Sequence, residues 1–195
     1  MRHILIIGLL ISLVGCSAAL VPYTSDPKQM IANAYWLFDD QVRPLPAERM
    51  ILEAIDIYKE GEDQAGLAQA YIAYGVFLRS YAVGKYSKHY SEHGFLQPNI
   101  TFEDRYNSSI EYLDKAGAIY QNQHQYDLLT NVYLHMGFTY WASQRITEAC
   151  SMFVISLEKH KKFTAEHPDV VVYLGGYGTY QEYLSSRTKE INCEI

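Results

Sequence analysis

Apolar residues recur at helical spacing along most of this chain. Asp26-Pro27 offers an N-cap oxygen followed by the residue favoured at the first helical position, and Met30, Ala34, Leu37 and Phe38 then share one face. Pro44 and Pro46 break that pattern. A second helix is predicted from Ala47 through Met50, Ile51, Ala54, Ile57 and Tyr58, and after a turn at Gly61 to Gln64 a third from Ala65 to about Ala82. Val83 to Glu103 is long, polar and without a period. Periodicity resumes over 104–120, 125–142, 147–163 and 168–186. No run of alternating residues between hairpin turns occurs, so the chain is expected to be all-α.

The first residues carry a different pattern. Met1-Arg2-His3 is a short positive start, and Ile4 to Val14 is almost wholly apolar, about eleven residues against the roughly 20 a membrane-spanning helix needs. The stretch ends in Leu13-Val14-Gly15-Cys16-Ser17, which resembles the lipobox of bacterial lipoprotein signal peptides. That resemblance implies cleavage after residue 15, acylation of Cys16, and anchoring by several acyl chains, which hold far better than one. Ser17, where retention in the inner membrane usually shows Asp, implies sorting to the outer membrane. In the segment 16–25, Ser17 to Ser25 then form a short tether of about 30 Å at most after the lipidated cysteine, so the folded part works close to a membrane.

Composition narrows the function. A net charge of −6, moving to −7 once Arg2 is removed, argues against the basic face that nucleic acid requires. Tyrosine is unusually frequent, 18 residues against 7 Phe and 2 Trp, and tyrosine favours wet interfaces. Beyond Cys16 two cysteines remain, Cys150 and Cys193. In an oxidising compartment they are candidates for a disulfide pinning the C-terminal tail to a helix, or they are two separate thiols; spacing alone does not decide.

Repetition sets the architecture. Between Thr130 and Phe163 lie Tyr133, Met136-Gly137 and Tyr140 on one helix, and Ala149, Phe153 and Ser156 on the next. This segment resembles a tetratricopeptide repeat, a helix pair of about 34 residues whose small residues allow close approach and whose aromatics fill the gap. The family's proline is replaced by Lys161. A looser copy has Tyr71, Tyr74-Gly75 and Leu78 on its first helix and Ser109, Leu113 and Ala116 on its second, with 85–103 as an insertion between them. Upstream, 26–40 and Ala47, Ile51 and Ala54 fit another pair, and Tyr173-Leu174-Gly175 would open a capping helix. The resemblance implies a short right-handed solenoid over 26–186, about three helix pairs plus a C-terminal capping helix, followed by a tail, 187–195.

It also implies a concave groove that holds a peptide or helix of another protein. The family's groove-facing places fall on Asn131, Leu134, Phe138 and Trp141 in the firmer repeat and on Gln69, Ile72, Val76 and Arg79 in the looser one. Buried aromatics dominate binding energy, which singles out Phe138 and Trp141; the competing reading packs Trp141 against the next helix pair. The Lys and Asn pattern of carboxylate clamps is missing.

One motif could mean catalysis. His89-Tyr90-Ser91-Glu92-His93 has the H-x-x-E-H spacing of inverted zinc peptidases, with His89 and His93 on one helical face. Gly94 weakens a helix there, no third ligand is identifiable, and a solvated polar loop is the preferred reading. No enzyme activity, metal or cofactor is expected. The expected role is a lipid-anchored periplasmic adaptor that helps assemble or position an envelope complex such as a secretion or pilus machine. The alternative is an immunity lipoprotein that neutralises a toxin, and a zinc enzyme built on the insertion is the remote third.

Overall fold

The computed structural model describes residues 21–195; the expected signal sequence, Cys16 and most of the expected tether lie outside the described residues. Helix α1, Pro27–Tyr35, begins where Asp26 accepts a hydrogen bond from the Lys28 amide at 3.0 Å, and it runs into a π-turn, Trp36–Asp40. Helix α2 is Pro44–Glu60 and α3 Gln64–Leu78. The shorter α4, Tyr81–Lys85, and α5, Ser87–His93, follow, then α6, Arg105–Asn122, α7, Tyr126–Ala142, and α8, Ile146–Glu166. Last comes α9, Tyr180–Thr188, closed by a 3₁₀ turn, Lys189–Ile191. No strand forms among the described residues. The chain is all-helical.

Packing follows chain order: α1 on α2, α2 on α3, α3 on α6, α6 on α7, and α7 on α8, with α9 lying more lightly on α8. Three of the reversals are one motif. Glu62, His124 and Gln144 take left-handed φ values of 53°, 56° and 64°. The next amide in each case, at Asp63, Gln125 and Arg145, reaches back to the carbonyl of Tyr58, Tyr120 or Tyr140. These are Schellman turns. None has the usual glycine at its left-handed place, so sequence offers no flag for them.

Small residues set the helix spacing. A Cβ added to Gly137 would fall 2.5 Å from the Phe153 ring of α8, and one on Gly75 would fall 2.9 Å from Leu113 and 3.0 Å from the Ser109 carbonyl of α6. The paired small and large residues of the repeat pattern therefore face each other. Ser109 Oγ also donates to the Gly75 carbonyl at 2.7 Å, and Ser156 Oγ to the Thr130 carbonyl at 2.8 Å, so the buried hydroxyls are satisfied across the pairs.

Three expectations are corrected. The 85–103 segment is no solvated loop: α5 and the chain after it bury Tyr90, Phe95 and Ile100 against the core of α1 to α4. Its polar surface hides three apolar residues too sparse to show a period. The C-terminal helix begins at Tyr180 instead of 168, because Gly175, Gly176 and Gly178 favour irregular chain and Thr179 supplies a full capping box with Glu182. Helix and 3₁₀ turn then continue to Ile191, into the expected tail. Cys150 on α8 and Cys193 are joined by a disulfide, with Cα atoms 5.3 Å apart, which ties that tail to α8.

Candidate functional site

The clearest convergence of polar and aromatic groups on the expected groove is at Arg79, the C-cap of α3. Its Nη2 lies 3.1 Å from His135 Nδ1 on α7, and its guanidinium sits 5.8 Å from the Phe138 ring centroid. Since guanidinium can only donate, Nδ1 must accept, which makes His135 the neutral tautomer with its proton on Nε2. Burial, and secondarily the Arg79 charge, push His135 down to about 4. Burial also lowers Arg79, opposed by the nearby Tyr35, Asp39 and Tyr106. Arg79 Nε is buried and makes no hydrogen bond. Tyr35, raised to about 12 by burial, and Asp39, also raised mainly by burial, bring α1 and its π-turn to the same point. Three helices meet around one cation.

Phe138 and Trp141 extend this surface as stacked rings 6.3 Å apart. Phe138 also meets Phe153 edge-on at 5.2 Å. Both are half-buried against the α8–α9 core, so Trp141 serves packing and surface together, between the two readings of the sequence. Val76 is core, 8 % exposed, and Ile72 is half-buried between two clusters. Gln69 is exposed on α3, and its side chain makes no hydrogen bond among the described residues. Arg79 itself is mostly covered, which corrects its expected place on an open groove wall: α1 and α7 close over the end of α3.

Asn131 and Leu134 belong to a neighbouring cleft of about 380 Å³ enclosed by α7, α8, the 172–177 chain and α9. Its walls are aromatic: Tyr173, Tyr177, Tyr180, Tyr183, His160 and Phe163. Tyr180 stacks on His160 at 4.4 Å and bonds Ser156 at 2.7 Å, and burial raises it to about 12. Arg187 lies over Tyr183 at 5.4 Å. The cleft was not legible because Tyr173 and Tyr177 lie on non-helical chain where a helix is expected, and Tyr180 and Tyr183 of α9 meet His160 and Phe163 only once α9 lies on α8.

His89 and His93 do share a face of α5, with ring centroids 4.9 Å apart. Glu92 is exposed and meets Lys88 only at 3.9 Å. Among the described residues no three His, Cys, Asp or Glu side chains gather as metal ligands.

Beneath α5 lies a carboxylate that sequence reading also missed. Glu48 of α2 is 1 % exposed. It accepts the Tyr74 hydroxyl at 3.0 Å and the Leu96 amide at 2.8 Å. Tyr90 Oη, also buried, faces it without a hydrogen bond of good geometry. Burial raises Glu48 to about 7 against the pull of these donors. Its flag in the sequence is position: Glu48 falls on the stripe Pro44, Ile51, Ile55 and Tyr58, where an apolar residue belongs. This node pins the insertion to α2 and α3.

Among the described residues no helix is long and apolar enough to cross a membrane. No protein-family model, curated protein or solved structure matches the chain.

Proposed function

We propose that this protein is a membrane-tethered, protein-binding adaptor. In this reading Cys16 carries the lipid, and α1–α2, α3–α6 and α7–α8 are the three pairs of a tetratricopeptide-like right-handed solenoid capped by α9. Its working surface runs across α1, α3 and α7, and it positions one envelope protein near the membrane. The observation that carries the reading is the stacked pair Phe138 and Trp141, partly exposed on α7, with the mostly covered Arg79 guanidinium 5.8 Å from the Phe138 ring beneath them. Partly exposed aromatics held in place in this way are the anchors from which protein partners draw most of their affinity. The pairing of Gly75 with Leu113 and of Gly137 with Phe153 supports the repeat assignment, since these are the family's small and large places.

The test is site-specific photo-crosslinking in cells. A crosslinker at Trp141 or Asn131 should capture one discrete partner, while one at Glu158, exposed on α8, should not. In parallel, Cys16→Ala should leave the precursor unprocessed and without label from a fatty acid. Equal capture from all three positions, or none, would refute the groove; fatty-acid labelling of the Cys16→Ala chain would refute the anchor.

A further inference from the structure

Between α8 and α9 the chain at Val170-Val171-Val172-Tyr173-Leu174 makes no turn or bend and takes no left-handed φ until Gly175 and Gly176, at 61° and 95°. Three β-branched residues and a tyrosine in succession are the composition of a strand. Exposure alternates as a strand's would: 49 %, 93 %, 37 % and 90 % from Val170 to Tyr173, with Leu174 packed on the third core cluster. Yet the backbone amides and carbonyls of Val171, Val172 and Tyr173 have no partner among the described residues. Residues 170–178 carry no charge, whereas exposed strand edges are ordinarily blunted by charge or proline. Val172 and Leu174 line the tyrosine cleft beside this segment.

We propose that residues 170–174 are a docking strand. They take an extended segment of the partner protein by strand addition, and side chains of that segment enter the tyrosine cleft. The inference deepens the protein-binding reading and rests on it. An unpaired extended backbone selects an extended polypeptide, because a helix already satisfies its own amides and a glycan has no donors and acceptors at strand spacing. The cleft selects apolar or aromatic side chains, and with Asp127 and Arg187 each contributing one charge it sets no net charge on the segment. A second copy of this chain is the poorer occupant. Pairing two five-residue segments falls well short of the roughly 1,000 Å² that a stable interface buries.

The test uses the disulfide-intact chain against a displayed random-peptide library. Enriched peptides should be uncharged and should alternate apolar residues. N-methylation of alternate backbone nitrogens in a synthetic copy should weaken binding about tenfold, and methylation of the intervening ones should not, since only every second amide faces the paired strand. Val172→Pro, which deletes an amide, and Tyr183→Ala should each weaken binding similarly, with circular dichroism confirming the fold. The peptide scan holds the protein constant, so it stands even where a variant unfolds. Binding indifferent to N-methylation at every nitrogen would overturn the proposal. So would a concentration-dependent dimer abolished by Val172→Pro, which would assign the strand to a second copy. Peptides that need Phe138 and Trp141 but not 170–174 would remove the docking strand and leave the adaptor reading intact. No enriched peptide together with no crosslinked partner would remove both.

Discussion

Stability against pH offers a sharp check on two buried groups, because their contributions have opposite signs. Glu48 moves from an ordinary 4.5 up to about 7 in the fold. The unfolded chain therefore gives up its proton first, so stability falls as pH rises from 4.5 toward 7 and is level above that. At about 1.4 kcal/mol per pH unit the fall is about 3 kcal/mol. His135 moves the other way, from 6.5 down to about 4. Its stability is fully present above 6.5 and is lost as pH falls toward 4, again by about 3 kcal/mol before allowance for the part of the ring that solvent still reaches. Between pH 4.5 and 6.5 the two slopes oppose, and wild type should show a flat profile. Glu48→Gln keeps an acceptor for Tyr74 and Leu96 but removes the titration; its stability should rise with pH across that window. His135→Gln should fall across it. Urea unfolding at half-unit steps, with the disulfide intact, reads both. His160, lowered by burial, and Asp39 and Asp114, raised mainly by burial, are common to all three proteins and cancel in the differences. Parallel profiles for wild type and both variants would refute the burial argument.

Cys193→Ala should free the C-terminal residues and cost about 4 kcal/mol, from chain entropy for a separation of 43 residues, read by urea unfolding with and without reductant. Gly137→Ala should destabilise by a net 1–2 kcal/mol (roughly), since overpacking the Phe153 ring outweighs the gain in helix propensity, whereas Gly84→Ala, with nothing within 4 Å, should stabilise. Gln144→Gly should raise the melting temperature by relieving a left-handed residue worth about 1 kcal/mol; a lower one would contradict the turn geometry. Trp141→Ala should lose about 1–2 kcal/mol of folding stability because the ring is half-buried, and a loss above about 3 kcal/mol in the same melt would make it a core residue.

Helical class, most helix positions, and the facing small and large residues at Gly137 and Phe153 were legible in the sequence because each depends on local spacing. A 3.6-residue apolar period needs only neighbours along the chain, and Asp26-Pro27 starts a helix wherever it occurs. The insertion was misread because Tyr90, Phe95 and Ile100 become core only when α2 and α3 lie beneath them, a fact with no local trace. Glu48 shows in the sequence only as a carboxylate on an apolar stripe; its partners Tyr74 and Leu96, and Tyr90 beside them, come from 26 to 48 residues away to enclose it. The candidate groove divided for the same reason. Repeat spacing put Asn131, Leu134, Phe138 and Trp141 on one helix, but the chain from 170 to 183, packed against it, walls the first two into a tyrosine cleft and leaves the others beside Arg79. Likewise Cys150 and Cys193 became a pair only when α9 turned the chain back onto α8. Periodicity determines which residues face inward; what they face, and whether a polar one among them is left with an unspent bond, is decided by elements distant in sequence that close over them.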